Sequence, residues 1–212
     1  ITMRKLAITL ALATTALATP ALARDNAWYV GVEGGAMIVE DHDFDLSSTG
    51  QNILSTDNDY GWDVDATIGY DFGPFRVEAE VGYREASVDA HQLTIPVGGV
   101  PAGIYENPAT GDSSALSFMA NGLIDFGPDD GAQGFVGGGV GVARVKYSDF
   151  GVLPRVLLDD SDTVFAWQVL AGVRAPLSDN VDVSVKYRFF NADDVTVVAA
   201  TGASLDSRFR SH

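Results

Sequence analysis

Eight stretches of the chain alternate apolar and polar residues, and the connections between them are alternately short and long. No other feature of the sequence constrains the fold as strongly, because alternation with a period of two predicts β-strands with two different faces. Each stretch also has about the length of a tilted membrane-spanning strand, roughly 9–11 residues. The stretches are 28–39, 60–72, 75–84, 115–126, 135–147, 163–176, 181–190 and an eighth that begins near Arg208.

The short connections recur at a fixed interval. Asp71 and Asp125 are 54 residues apart, as are Asp125 and Asp179, and the tetrapeptide DFGP begins at the first two of these positions. The long connections are 40–59, 85–114, 148–162 and 191–207. A meander of hairpins places its tight turns at one end and its long loops at the other, whereas a Greek-key sandwich mixes the two kinds. The pattern predicts an all-β, up-and-down antiparallel β-barrel of eight strands.

One face of most of the predicted strands carries charged residues, acidic and basic ones interleaved. In FRVEAEVGYRE (75–85) every second residue from Arg76 to Glu80 is charged. On all strands together, these faces hold six acids and five bases: Glu33, Asp63, Asp65, Arg76, Glu78, Glu80, Arg84, Arg174, Asp182, Lys186 and Arg188.

This near balance contrasts with the rest of the chain. The net charge is −16, and the stretches 40–59, 86–113, 148–162 and 191–207 hold 16 acids and one base. Balanced charge in so acidic a chain indicates mutual pairing, because an unpaired buried charge costs several kcal/mol. We therefore expect the charged faces to line a filled lumen, in which small neighbours such as Gly31 and Gly82 make room.

The aromatic residues form two groups. Near the short turns lie Trp28, Phe72, Phe75, Phe126 and Phe135, and toward the long connections lie Trp62, Tyr83, Tyr147, Phe165 and Phe189. Two aromatic girdles flanking an aliphatic band are typical of a protein that spans a bilayer. A soluble, lipocalin-like cup with an apolar lumen would explain the alternation equally well, but neither the girdles nor the sorted loops.

The stretch 135–147, FVGGGVGVARVKY, does not fit this scheme directly. Its valines share a face with Arg144 and Lys146. Either a bulge shifts the register, or the glycine face points to lipid, and both alternatives stay open at this point.

The N-terminus predicts export. Arg4 and Lys5 precede a short apolar run that ends in Pro20 and Ala21-Leu22-Ala23, the pattern of a secretory signal peptide cleaved after Ala23. We expect a signal peptide at 1–23 and one barrel domain at 24–212. Without residues 1–23 the chain has 11 basic and 29 acidic residues, a net charge of −18, which disfavours nucleic-acid binding.

Several segments resemble the OmpA-like eight-stranded outer-membrane β-barrels of Gram-negative bacteria. They are ALARDNAWYVGVEGG after the signal, FMANGLIDF, GFVGGGVGVARV, FAWQVLAGVR and VSVKYRFF. The resemblance implies a membrane anchor and surface scaffold, whose lumen is closed by salt bridges among Glu33, Arg76, Glu78, Glu80, Lys186 and Arg188. Such barrels commonly end in an aromatic residue of the eighth strand. This chain ends at RFRSH (208–212), so the eighth strand is truncated and we expect either a fragment or incomplete closure.

The residues show no pattern of a catalytic, cofactor or metal site. His42, His91 and His212 lack a matched partner at a readable spacing, and Ser87 with His91 is an ordinary loop pair. The acidic stretches 41–45, 57–61 and 158–162 lack the Gly and Glu positions of an EF-hand, which leaves weak divalent bridging to surface lipid as a hypothesis.

We therefore expect a structural envelope protein of the bacterial outer membrane and no enzyme. Its expected partners are outer-membrane lipid and the outer-membrane assembly machinery, with any cell-surface ligand unknown. Two alternatives stay open: a narrow solute pore, and an adhesin or receptor that acts through the long connections, above all residues 85–114.

Overall fold

The computed structural model describes residues 26–49, 51–97, 99–105, 109–128, 131–152, 155–178 and 180–212. The predicted signal peptide, residues 1–23, lies outside them. Within these ranges, no helix is long and apolar enough to cross a lipid bilayer.

Ten antiparallel β-strands make up the described part of the chain. They are β1 (Ala27–Ile38), β2 (His42–Leu46), β3 (Gln51–Asp71), β4 (Phe75–Leu93), β5 (Gly103–Tyr105), β6 (Ala109–Phe126), β7 (Gln133–Val152), β8 (Arg155–Ser178), β9 (Val181–Val198) and β10 (Ser204–Ser211). The count differs from the eight expected for two reasons. The short β2 forms inside the predicted long connection 40–59, and the short β5 forms inside the predicted long connection 85–114.

The strand pairings form a closed ring. In order around it, β3, β4, β6, β7, β8, β9, β10 and β2 pair with their neighbours, and β2 pairs with β3 again. Every pairing is antiparallel, and β1 and β5 pair with β3 and β4 respectively. An all-β antiparallel barrel is therefore what the chain forms.

The first and last strands meet at one seam of this ring. The backbones of Ile38 and His212 exchange hydrogen bonds with N···O distances of 3.0 and 2.9 Å, and Val39 forms a bridge with Ser211. Toward the short turns, β1 pairs only with β3 and β9 only with β8 among the residues described. The seam is therefore closed near the long connections.

The strands extend far into the regions predicted as loops. β3 begins at Gln51, β4 ends at Leu93, and β7 and β8 run to Val152 and from Arg155, so the boundaries of the long connections were wrong. The reason is that apolar side chains within the acidic stretches, such as Phe44 and Leu158, are fully buried inside the barrel and stabilise an extension of the same sheet.

The interior consequently has two parts. The "charged half" lies nearer the short turns and contains Tyr29, Glu33, Asp63, Asp65, Asp71, Arg76, Glu78, Glu80, Asp125, Arg174, Lys186 and Arg188. The "apolar half" lies nearer the long connections and contains Phe44, Leu54, Val145, Tyr147, Phe150, Leu158, Phe190, Val195, Val197, Leu205 and Phe209.

Around the charged half, the outer surface is apolar. Trp28 and Phe165 are 66% and 61% exposed there, as a lipid-facing band requires. Two members of the predicted girdles point the other way: Phe135 is 4% exposed and Tyr147 is fully buried. Both sit at inward positions of β7, so those two girdle assignments were wrong.

Strand β7 follows neither of the two alternatives drawn from its sequence. No bulge interrupts its pairing between Phe135 and Tyr147, and Gly137, Gly139 and Gly141 lie on the inward face with Phe135. At Gly139 a Cβ atom would overlap the Asn121 side chain, so glycine is needed to admit that amide. Val142 faces outward together with Arg144 and Lys146, because the strand continues beyond the apolar band.

Candidate functional site

Arg76 and Asp125 form a two-pronged ion pair near the short turns. The Nε and Nη2 atoms of Arg76 lie 2.7 and 3.0 Å from the two carboxylate oxygens of Asp125. Its Nη1 donates to Glu78 at 3.2 Å, and the hydroxyl of Tyr29 donates to the same Glu78 oxygen at 2.6 Å. Paired bonds of this geometry are the strong, directional form of the Arg–carboxylate contact.

Arg174 on β8 joins the cluster that Arg76 and Asp125 form near the short turns. Its Nη1 and Nη2 both lie 3.0 Å from Asp71 Oδ2, and its Nε donates to Gln133 at 2.8 Å. The guanidinium also lies 3.6 Å from Asp125. Asp125 is thereby held between two arginines from different strands.

Arg188 on β9 is the centre of a second cluster. It lies 2.7 Å from Asp65, 3.2 Å from Asp63 and 3.5 Å from Glu80. These three carboxylates come from β3 and β4, on the opposite side of the seam, so the cluster ties the two ends of the sheet together across the lumen.

Glu33 and Lys186 form a further ion pair beside this cluster, and Glu33 also lies 3.9 Å from Arg188. Asp182, the last of the predicted lumen residues, is half-buried on β9 nearer the short turns. The Glu33–Lys186 ion pair spans the space between β1 and β9, two strands whose backbones do not pair there.

Two amides fill the middle of the charged half. Asn121 donates to Glu80 at 2.9 Å, and Gln168 donates to Glu80 at 3.2 Å and to Asn121 at 2.8 Å. Glu80 therefore accepts hydrogen bonds from two side-chain amides in addition to its ion pair, as a buried carboxylate requires.

Arg84 departs from the sequence-based expectation that it pairs with an acid. Its side chain is inside the barrel and the residue is 1% exposed, yet Nη1 and Nη2 have no hydrogen-bond partner among the residues described. Instead its guanidinium stacks on the ring of Phe190, 3.7 Å from the ring centre. The expected ion pair is absent because Arg84 lies at the boundary with the apolar half, where an aromatic face replaces a carboxylate.

The comparison with protein families decides what kind of barrel this is. Residues 9–209 match the family model of the outer membrane protein beta-barrel domain. The chain belongs to the outer-membrane β-barrel family. Its membership and its fold point to the bacterial outer membrane as its location.

Individual proteins and solved structures are also similar to this chain. The outer membrane protein PagN of Salmonella typhimurium is 28% identical over 141 residues, which cover 61% of this chain and 57% of PagN. The chain thus spans a little over half the length of this curated relative. The crystal structure of OprG from Pseudomonas aeruginosa has the same fold, with a TM-score of 0.56, 13% identity and 90% of both chains covered. Neisserial surface protein A has a TM-score of 0.47 and 19% identity, with 87% of this chain and 94% of its own covered.

Three members of the charged half were not predicted from the sequence: Tyr29, Asp71 and Asp125. Asp71 and Asp125 open the two DFGP turns and were assigned to the turns. Asp71 does accept the backbone N–H of Gly73 at 2.7 Å, but both carboxylates also pair with arginines inside. Their equivalent positions in the 54-residue repeat were the available signal. Tyr29 gave no such signal, since alternation alone does not tell which tyrosine will meet a carboxylate.

The cavities that described residues line are small. The cavity beside Glu33, Asp65 and Arg188 has a volume of about 30 Å³, enough for one or two water molecules. A solute would have to displace ion pairs to pass. The described residues also contain no cluster of three or more potential metal ligands.

The Ser87 and His91 pair on β4 is not arranged for catalysis in the way a Ser–His pair requires. Ser87 is exposed and its hydroxyl donates to Asp112 at 3.0 Å. His91 is buried in the apolar half, where its Nδ1 lies 3.0 Å from the Thr56 hydroxyl. The side chain of His42 lies outside the described residues.

Proposed function

We propose that the protein is a sealed, OmpA-like structural barrel that anchors a rigid, surface-exposed extension in the outer membrane. In this proposal eight strands span the bilayer, with β1 and β2 as two pieces of the first one. Residues 1–23 are removed after Ala23, and the short turns and both termini face the periplasm. The protein has no enzymatic activity. Its partners are membrane lipid and the outer-membrane assembly machinery.

The single observation that supports this role best is the filling of the interior by two successive layers. Ion pairs and amides fill the charged half, and a packed apolar cluster fills the apolar half. A narrow barrel of this kind has room only for its own side chains. A pore would need a continuous aqueous path, for which both layers would have to open.

Conductance in planar bilayers tests the proposal. We expect the wild-type barrel to show no steady single-channel conductance. The Arg76→Ala and Glu78→Ala variants test whether any current passes through the lumen. A steady wild-type current that either variant abolishes would favour the pore and contradict a sealed scaffold.

A second role, as an adhesin or receptor, is supported by one feature of the long connection 85–114. Ile104 on the short strand β5 is among the most exposed large apolar side chains of the described residues, and exposed apolar residues at a tip suit contact with a partner. Replacing residues 96–106 with a glycine–serine linker tests this role. Unchanged binding to host cells and to phage would argue against it.

A further inference from the structure

Two basic side chains on β7 lie immediately beyond the apolar outer band. Arg144 and Lys146 are exposed and face outward, at the next two outward positions after Val142. The strand alternates without interruption there, so both cations lie on the same outer face as the valines that contact lipid. Their height is that of the lipid head groups.

Hydroxyl groups surround these two cations. Lys146 is paired with Ser114 on β6 and Ser161 on β8, and Arg144 is paired with Thr163 on β8. Arg144 Nη2 donates to the Ser161 hydroxyl at 3.1 Å. We call this group the "β7 basic patch"; it consists of Ser114, Arg144, Lys146, Ser161 and Thr163.

Within the part of the chain that is described, neither cation of the β7 basic patch forms an ion pair. The outward carboxylates on adjoining positions have other donors: Glu85 accepts the Tyr83 hydroxyl at 2.5 Å, and Asp112 accepts that of Ser87. The patch is therefore available to an external anion.

Two aspartates on β8 are also engaged elsewhere. Asp160 and Asp162 accept the backbone N–H groups of Val198 and Thr196 on β9, at 2.8 and 2.9 Å. Their carboxylates thus replace backbone carbonyls where β8 and β9 diverge, and they are turned toward β9 and away from the cations.

Directly below the patch, the outer surface is made of Phe118, Val142 and Phe165, all exposed. Side chains of this kind contact acyl chains in a lipid-facing band. An anion bound above them in the membrane would be attached to those chains. A phosphate suits the patch, since the arginine fork and the lysine point charge both bind phosphate oxygens and hydroxyls supply further donors.

We propose that the β7 basic patch binds the phosphate group of an anionic membrane lipid whose acyl chains lie along Phe118, Val142 and Phe165. This site rests on the membrane orientation given under the proposed function, in which the long connections face outward.

Native mass spectrometry of the refolded barrel with phosphatidic acid tests the site. We expect the Arg144→Gln/Lys146→Gln double variant to bind phosphatidic acid about 25-fold more weakly, since each cation near an anionic lipid contributes about 1 kcal/mol and 1.4 kcal/mol is tenfold. The control for the change in net charge alone is Thr201→Glu/Ser204→Glu, which also makes the protein more negative by two. These two exposed residues lie in the β9–β10 connection and at the first position of β10. This control should keep wild-type binding.

Two further arms complete the design. The charge-conserving exchange Arg144→Lys/Lys146→Arg should retain most of the binding, and inorganic phosphate should not compete at the concentrations at which the lipid binds. Equal binding by the wild type and the double glutamine variant would overturn the proposal. So would an equal loss in the glutamate control, or competition by inorganic phosphate at lipid concentrations, which would make the ligand a soluble anion.

Protease protection of the same proteins in vesicles separates this result from the proposed function. A barrel that is protected but shows no lipid preference contradicts only the lipid site. A barrel that does not insert contradicts the membrane role itself.

Discussion

The charged half and the apolar half are built by the same strands, yet their inside and outside are exchanged. In the charged half the polar side chains point inward and the outer surface is apolar. In the apolar half the interior consists of side chains such as Phe150 and Leu158, and most outward positions are polar, with exceptions such as Val156. Strand β7 makes this exchange without changing its register: Val142 is followed outward by Arg144, and Gly141 is followed inward by Ala143 and Val145.

This difference shows that the surroundings decide which face of a strand is apolar. Where lipid is outside, the strands bury their polar face, and where water is outside, they bury their apolar face. The soluble, lipocalin-like alternative therefore describes the interior of the apolar half, and the membrane barrel describes the charged half.

The largest effect is expected from breaking the charged half at Arg188. The Arg188→Ala substitution leaves Asp63, Asp65 and Glu80 without their shared cation, and breaking a buried pair in this way costs about 3–5 kcal/mol. Urea unfolding in lipid vesicles measures the loss in free energy of unfolding. The more exposed pair of Glu40 with Arg210, 3.8 Å apart, provides the control, since Glu40→Ala leaves Arg210 its bond to Asn191 and should cost less than about 1 kcal/mol. Equal losses would mean that the buried cluster carries no special weight.

A slightly smaller effect is expected in the apolar half. Leu158 is fully buried, and Leu158→Ala should lower the free energy of unfolding by about 3 kcal/mol through lost burial and a residual cavity. Added salt should leave this loss unchanged. Val156 is the matched control, because it faces outward on the same strand and its replacement by alanine should change little. A loss in free energy of unfolding at Leu158 no larger than at Val156 would show that the apolar half is not packed as a core.

One substitution placed on the outer surface of each half sharpens the comparison. Val81→Arg puts a charge on the lipid-facing surface and should cost about 2–4 kcal/mol, less toward the edges of the bilayer. Val156→Arg puts the same charge on the outer surface of the apolar half and should hardly change the free energy of folding. Folding yield in vesicles, read from heat-modifiable migration on gels, measures both. Similar yields would contradict the assignment of the two outer surfaces.

The smallest effect is expected on the free energy of unfolding at alkaline pH. Tyr147 lies beyond the apolar band, and burial raises the pKa of its hydroxyl above the ordinary value of 10, against a smaller lowering by Ser207. The unfolded chain therefore loses this proton first, and stability that is complete below pH 10 falls by about 1.4 kcal/mol per pH unit above it. The Tyr147→Phe variant should show a shallower fall in a urea titration between neutral and alkaline pH. An identical slope would show that Tyr147 ionises as freely in the folded protein.

The sequence allowed the class of fold to be predicted, and family membership confirms an outer-membrane β-barrel. The alternation at Arg76, Glu78 and Glu80 could be recognised because successive side chains of a strand point to opposite faces, with a period of two residues. The continuation of the strands into the apolar half could not be recognised, since Asp43 and Asp45 flank Phe44 and the acidic run 159–162 directly follows Leu158. Charge at the surface of a barrel wall looks the same in sequence as charge in a solvated loop.

The partners inside the charged half were beyond the sequence for a different reason. Which arginine meets which carboxylate depends on the offset between strands that are far apart in the chain, such as β3 and β9. Arg84 illustrates the limit, because it has the same position in the alternation as Arg76. Only the neighbouring layer, with Phe190, distinguishes the two.

The length of β8 determines how far the barrel extends beyond the membrane. Its 24 residues, at about 3.3 Å each and tilted by about 40°, rise roughly 60 Å, whereas the apolar band takes up only about 25 Å. Part of the remainder stands clear of the bilayer as a stiff stalk. In the proposed orientation, a partner that binds the tip would contact a structure held at a fixed height, so little conformational entropy would be lost on binding.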